Sequence, residues 1–461
     1  MASTFRRPHE VVDFDELTGR FPPPPEYFES AWLDTPDVIE AKQLARLRER
    51  AVAAARVPFF ARRWAEAGFD PDGLGSLDDL DRVPAYTVDD IRASIEGSPP
   101  FGDYQGVMPG EATSQPMRLH TSGGTTGRSR PTLYTAWDRE VGALLTARAL
   151  FLQGIRPGDV VVNAWAYSMH NGAHIMDEAL YKWLSCVVLT TGTGNVTPSR
   201  KQVELAHEYG ATAILTTADY LLHLVDVARE MGLDPRTDLN IAALPNIGNR
   251  ERLEQTFGIP VLESYGFHEV QWVAVECPQQ DGLHIFEDAF VVQIVDVDTG
   301  EPLPDGEQGA ICITELYKTG SPQFRYNIMD LSTLYPREQC ACGSWLRKMA
   351  PFAGRGDNMV KLRGVNIWPE ALGDVATGVA GIDDDYFVRA HRHGDRDEMQ
   401  VSVVSRADPA TFAELTTNVE TALHDAIGVR IGAEVVAPGA LDELTGFGSQ
   451  AKLVRFRDDR P

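Results

Sequence analysis

The sequence predicts an α/β protein: a large N-terminal domain with mixed and parallel sheets and a β-rich subdomain, then a small C-terminal α+β domain. Three observations predict it. Short apolar strands alternate with amphipathic helices through the middle of the chain, the pattern of a mainly parallel sheet with crossover helices. From about residue 285 that texture gives way to hairpins. After "GRGDNMVKLRGVNIWP" (residues 354–369) a small strand-and-helix pattern restarts. The boundary is placed near residues 355–357, giving domains 1–355 and 356–461.

The elements follow in order. "FPPPPEYF" reads as a stiff extended packing arm. "DVIEAKQLARLRERAVAAARVPFFARRWAEAG" carries apolar residues at helical spacing. The strand candidates are "DVVVNAWAY", "SCVVLTTG", "ATAILTTA" and "IPVLESYG", with "DYLLHLVDVAREMG" as a crossover helix. "HIFEDAFVVQIVDVDTGEPLPDGEQGAICITEL" reads as hairpins turning at Asp-Thr-Gly and Pro-Asp-Gly. Near the end, "DDYFVRAHRHGDRDEMQVSVVSR" reads as paired strands and "DPATFAELTTNVETALHDAIG" as a capped helix.

Composition narrows the function classes. The 461 residues are 43% hydrophobic and 24% charged, which fits a folded chain with a large core. A formal charge of -25 argues against a nucleic-acid partner, because phosphate backbones select basic surfaces. Five cysteines are too few for a disulfide scaffold of this length. The opening "MASTFRRPHEVVDFDEL" has no apolar signal core, and no run approaches the roughly 18 apolar residues of a membrane helix. A cytoplasmic protein with reduced thiols and no membrane partner is expected.

The stretch "HTSGGTTGRSR" (residues 120–130) offers backbone N–H groups freed by glycine, together with hydroxyls, and that combination cradles phosphate. It lacks the Gly-Lys-Ser/Thr ending of a Walker A loop and is not G-x-G-x-x-G. Alone it reads equally well as a surface turn. Three more motifs follow it in order: "SYGFHEV" (264–270), "RYNIMDL" (325–331) and "GRGDNMVKLRGVNIWP".

This ordered set resembles the adenylate-forming acyl-CoA synthetase superfamily, in its phenylacetate–CoA ligase branch, from roughly residue 80 to the end. The resemblance implies a two-step reaction. A carboxylate attacks the α-phosphate of ATP, giving an acyl-adenylate and pyrophosphate; a thiol, usually that of CoA, then displaces AMP. Two anions must meet, so donors and Mg²⁺ have to neutralise charge. Thr121, Ser122, Gly123, Gly124, Thr125, Thr126 and Gly127 match the phosphate loop, with Thr125 nearest the metal. Glu269 matches the Mg²⁺-holding glutamate, and Tyr265 and Gly266 the residues that pack on adenine. Asp330 matches the aspartate that takes the ribose hydroxyls, and Arg355 an arginine that also reaches the ribose. Asp357 matches the hinge of a small mobile lid, and Gly364 lies in a loop laid against the CoA tunnel.

The tail departs from the family. Relatives carry "Gly-Lys-Ala-Lys" or similar, whose first lysine reaches the α-phosphate and carboxylate. Here "GFGSQAKLVRFRD" puts Gln450 at that place, an amide without the ammonium charge. Lys452 is the substitute candidate, two residues on. Ile247, Gly248, Asn249 and Arg250 replace a Gly-Ala-Glu-like segment, and Gly127-Arg128 stands where many members have Gly-Lys.

Cys277 and His284, with Cys340 and Cys342 about sixty residues on, compose a Cys₃His set suited to structural zinc. Two unrelated half-buried pairs are the alternative. Cys186 and Cys312 sit in apolar strands and read as core.

The segment "NAWAYSMHNGAHIMDEALYKW" occupies the substrate-pocket position of the family. Trp165, Tyr167, His170, Asn171 and His174 suit a flat ring bearing a hydroxyl or amino group. Trp165 and Tyr167 are alternatively strand core. The expected activity is ATP-dependent ligation of a hydroxy- or amino-substituted aryl or arylacetic acid to CoA. Two other readings stay open. One is an adenylating enzyme with a different second reactant: a carrier protein, an amine giving an amide, or nitrite for diazotising an aryl amine. The other is a nucleotide-binding relative that does not turn over. A homodimer is an open partner.

Overall fold

The structure, a computed structural model, describes residues 13, 19, 23, 26–29, 32–110, 116–122, 129–246, 248–358, 360–362, 365–393, 396–447 and 453–460. The chain forms two compact units. The first takes residues 1–291, 314–325 and 336–349; the second takes 292–313, 326–335 and 350–461.

In the first unit, the long helical pattern near the N-terminus is two helices, Pro36–Ala54 and Pro58–Ala67. Each begins on a proline, whose missing N–H costs nothing in a first turn but would break a helix interior. Helices Val88–Gly97 and Ala136–Leu152 both start on capping boxes, Thr87 with Asp90 and Thr135 with Asp138. The predicted parallel sheet is present: Val160–Asn163 lies between Val187–Leu189 and Ala213–Leu215. Helices Ser199–Glu208 and Ala218–Glu230 bury Val203, Leu221 and Leu224 against Val162 of the central strand. The segments Leu244–Pro245 and Val261–Leu262 form a further parallel pair.

A four-stranded antiparallel sheet follows, in the order Lys348–Met349, Leu283–Ile285, Gln271–Glu276, Ser264–Phe267. It carries the site at one end and a cysteine cluster at the other.

The hairpin-rich region is a three-stranded sheet of Phe290–Val295, Gln308–Glu315 and Tyr326–Thr333. Cys312 is buried in its middle strand, and Cys186 is buried beside Val187–Leu189, as expected of core thiols.

In the second unit, strands Tyr386–His393 and Arg396–Val404 pair antiparallel with Tyr386 opposite Val403. Gly432–Val436 and Phe456–Asp458 add parallel strands at the two edges. Helices Pro369–Thr377 and Phe412–Ile427 cover the sheet, burying Leu372 and Leu423 against Val388 and Val401. Among the described residues, no helix is long and apolar enough to cross a membrane.

Candidate active site

The phosphate-loop candidate begins at the end of a described strand. Strand Met117–Ser122 pairs antiparallel with Arg130–Thr135, and Ser122 stands opposite Arg130. Gly123, Gly124, Thr125, Thr126 and Gly127 lie outside the described residues. Thr121 and Ser122 end the first strand. The Ser122 hydroxyl donates to Glu269 Oε1 at 2.7 Å, and the Arg130 guanidinium lies 3.5 Å from the same oxygen. Two motifs 147 positions apart in sequence therefore meet at one carboxylate. Burial alone would raise the Glu269 carboxyl, but its charged neighbours and the Ser122 hydrogen bond outweigh it and hold the group below the usual range. Arg130 supplies the positive charge, because burial drives the His268 ring down to about 3 and leaves it neutral.

The backbone around Glu269 is fixed from several sides. Strand Ser264–Phe267 turns back directly into Gln271–Glu276, with Phe267 opposite Gln271 and a register slip between Tyr265 and Gly266. A Cβ on Gly266 would lie 1.9 Å from the Gln271 carbonyl oxygen, so only glycine fits. The Tyr134 hydroxyl donates to the His268 carbonyl, and the Lys318 ammonium donates to the Glu269 carbonyl. Lys318 is 2% exposed and lies 4.4 Å over the Tyr134 ring. Tyr265 is buried, with its ring 6.2 Å from that of Phe267.

In the second unit, Asp330 sits within strand Tyr326–Thr333 and bridges to Arg355. Arg355 donates to both oxygens of Asp357, at 2.7 and 2.6 Å, and lies 3.3 Å from Asp330. These hydrogen bonds, chiefly to Asp357, raise the Arg355 pKa and keep it charged. The ribose and hinge candidates are thus one ion-paired group. Gly364, Gln450 and Lys452 lie outside the described residues.

The pocket candidates lie beyond their strand. Val160–Asn163 ends before Trp165 and Tyr167, so neither is a strand residue. Trp165 is half-buried and packs on the apolar core around Leu180 and Val161. The Tyr167 hydroxyl donates to Asp177 at 2.7 Å, and its ring meets His174 edge-on at 5.6 Å. Asn171 is buried and accepts from Arg139. Thr121 N–H donates to the Met169 carbonyl at 2.9 Å, tying this segment to the hairpin. Two histidines absent from the sequence reading join it, His120 and His268. Burial pushes the His120 ring down to about 4.

This chain is 32% identical over 452 residues to the phenylacetate–coenzyme A ligase of Thermus thermophilus, covering 92% of this chain and 97% of that protein. It is 33% identical over 385 residues to the enzyme of the same name from Pseudomonas putida, covering 81% and 83%. The chain belongs to the phenylacetate–CoA ligase family. It is an ATP-dependent, AMP-forming acyl-CoA ligase. Residues 364–460 match the family model "AMP-binding enzyme C-terminal domain". Among solved structures, 2-hydroxyisobutyryl-CoA ligase in its postadenylation state, in complex with R3-HIB-AMP, superposes with a TM-score of 0.83 at 25% identity. That match covers 96% of this chain and 94% of the other.

At the far end of the ligase's antiparallel sheet, the Cys/His pairs converge. The ligand atoms of Cys277, His284, Cys340 and Cys342 all lie within 4.8 Å of one another. Cys277 and Cys340 sulfurs are 3.8 Å apart, and Cys342 Sγ is 3.6 Å from His284 Nε2. Tetrahedral zinc with ordinary bond lengths sets about 3.8 Å between two thiolates and about 3.6 Å between thiolate and imidazole. His284 Nδ1 faces the Leu346 carbonyl at 3.4 Å, the outer contact that fixes a ligating tautomer. Burial pushes the Cys277 thiol up to about 12, so a cation is needed to hold it as thiolate at neutral pH. The alternative of two unrelated pairs does not describe this geometry.

The segment at Gly248 has a structural account. Asn249 adopts a φ of 50° ahead of helix Arg250–Phe257, and Arg250 donates to the buried Glu276 at 2.7 Å. Arg250 also lies 3.5 Å from Glu263, so the substituted segment neutralises two acids of this region.

Proposed function

We propose that this ligase activates a hydroxy- or amino-substituted aryl or arylacetic acid and transfers it to CoA. Residues 123–127 cradle the ATP phosphates. Glu269 holds Mg²⁺, which supplies charge neutralisation when bound; Ser122 and Arg130 keep the carboxylate ionised and aimed. Asp330 and Arg355 take the ribose, Tyr265 and Gly266 flank the adenine, and residues 356–461 act as the lid that turns about Asp357. The acid carboxylate attacks the α-phosphate, an oxygen–phosphorus bond forms and pyrophosphate leaves. The CoA sulfur then attacks the acyl carbon and AMP departs. Gln450 can donate a hydrogen bond during the first step but brings no charge, and Lys452 is the nearest ammonium in the sequence. A structural zinc ties Cys277 and His284 to Cys340 and Cys342.

One observation carries this reading: the strand leading into the glycine loop and the acid of "SYGFHEV" share a buried hydrogen bond. Pyrophosphate release with ATP, Mg²⁺ and a panel of aryl and arylacetic acids tests it, followed by CoA and mass analysis of the product. The expected product is an acyl-CoA. Release that depends on nitrite, or product only on a carrier protein, would move the second reactant. No release with any acid, in wild type or Gln450→Lys, would sink the reading.

A further inference from the structure

Four of the chain's 11 histidines gather in the first unit, from segments far apart in sequence. The ring centres of His120 and His174 are 5.3 Å apart, those of His170 and His268 5.0 Å, and those of His120 and His268 6.3 Å. Hydrogen bonds fix the proton on three of them. His120 Nδ1 faces the Met169 carbonyl at 3.2 Å, so it carries the proton, and its Nε2 is left as the acceptor facing Arg139 at 3.5 Å. Both its nitrogens are engaged. His174 Nε2 faces the Ser168 carbonyl at 3.0 Å, which leaves Nδ1 as an acceptor. His170 Nδ1 accepts the Gly172 N–H at 3.1 Å, which leaves Nε2–H as a donor. His268 differs from all three. Both of its nitrogens are buried without a hydrogen-bond partner among the described residues. Unpaired buried polar atoms are costly and uncommon, and a ligand is one thing that satisfies them.

We propose that His170 and His268 are the specificity-determining pair of the acid pocket, selecting acyl groups that carry an uncharged substituent able both to donate and to accept a hydrogen bond. A phenolic or alcoholic hydroxyl qualifies, and so does an aromatic amine. The inference rests on the ligase reading and deepens it. His170 offers an Nε2–H donor, and His268, with its ring centre 5.0 Å away, offers one N–H and one bare nitrogen. A second carboxylate on the acid offers acceptors alone, leaves the bare nitrogen unmet, and meets the negative Glu269 next to His268. A plain hydrocarbon ring leaves every one of these atoms unpaired. A site built to hydrogen-bond a substituent discriminates strongly against the analogue lacking it.

The test measures pyrophosphate release by the full-length chain with matched pairs: phenylacetate against its 3- and 4-hydroxy forms, and benzoate against its hydroxy and amino forms. In wild type, at least one substituted acid is expected to exceed its parent at least about tenfold in kcat/KM. In His268→Phe that ratio falls at least about tenfold, and His268→Asn, which keeps a donor and an acceptor, retains part of it. His170→Phe is read the same way and serves if His268→Phe does not fold. A wild type that favours the unsubstituted parent in every pair overturns the inference without any variant. So does a His268→Phe that slows both members of each pair equally, because the imidazole would then serve the phosphates common to all substrates. Both outcomes leave the ligase reading standing, whereas a wild type that turns over no acid removes both.

Discussion

The antiparallel sheet of the first unit carries a polar cluster at each end, and the two are built on opposite rules. At the Cys277 end, three sulfurs and an imidazole point at one another within 4.8 Å, and the His284 ring is steadied from behind by the Leu346 carbonyl. At the Glu269 end, the backbone is pinned by Tyr134 and Lys318 while, among the described residues, both nitrogens of His268 are left without a hydrogen-bond partner. A site for a resident ion closes on itself. A site for reactants that come and go keeps its frame rigid and its functional valences open, at a cost in stability. Changes at the first end should therefore unfold the protein, and changes at the second should silence it.

Glu269→Gln is the largest expected effect on activity. The amide keeps the shape and can still meet Ser122, but it loses the charge that would hold the cation. Pyrophosphate release should fall at least about 100-fold, as when a principal charge-stabilising group is removed. The melting temperature should fall only modestly: the neighbours that hold the carboxyl below its usual range stabilise the charge, and the amide keeps the Ser122 contact. A variant that unfolds with its activity per folded molecule intact would make Glu269 a structural residue and erase the contrast.

Cys340→Ser should do the reverse. Bound zinc, measured by elemental analysis, is expected near one per chain in wild type and near zero in the variant. Unfolding free energy should drop by on the order of 3 kcal/mol or more, since a structural site contributes its binding energy to folding. Activity per folded molecule should change far less. Equal zinc content in both proteins would end the resident-ion reading.

A smaller effect is expected at the tail. Gln450→Lys supplies the ammonium that relatives carry, and pyrophosphate release should rise about tenfold, the gain of one charge-assisted contact in place of a neutral one. The thioester step, followed with preformed acyl-adenylate, should not gain. A rate unchanged in both steps would mean that charge at the α-phosphate is already met by other groups, with Lys452 the first to test.

Much of this was legible in the chain and some was not, for separable reasons. The motif order was legible because each motif is local: "SYGFHEV" needs its glycine where a Cβ would strike Gln271, and that requirement survives in one dimension. The Cys/His set was legible as two pairs, yet the distance between them was not, since it depends on the pairing of Leu283–Ile285 with Lys348–Met349. Trp165 and Tyr167 looked like strand because apolar residues run on past Asn163, where the strand stops. The split of the N-terminal helical run at Val57 was readable from Pro58. Nothing in "SYGFHEV" marks His268, because what distinguishes it is unmet burial beside three other imidazoles. Lys318 was hidden for the same reason: nothing local in "ELYKTGS" tells of a carbonyl 49 residues away.

The smallest expected effect separates the two ends by pH. Glu315 is buried beneath the open end, 3.8 Å from Lys318. Burial lifts its carboxyl from 4.5 to about 8, with Lys318 opposing the rise. Between those values the folded chain keeps a proton that the unfolded chain releases, so this group makes stability fall as pH rises across that window. Glu315→Gln removes the fall. Melting temperature plotted against pH should run flatter in the variant from pH 5 to 8, with the variant's advantage greatest near pH 8 and smallest near pH 5. At the Cys277 end the sign is opposite: thiolates release their protons on binding the ion, so the deficit of Cys340→Ser should grow as pH rises across that range. Parallel curves for Glu315→Gln and wild type would show that Lys318 already holds the carboxylate ionised, and the open end would then store less unmet charge than its geometry implies.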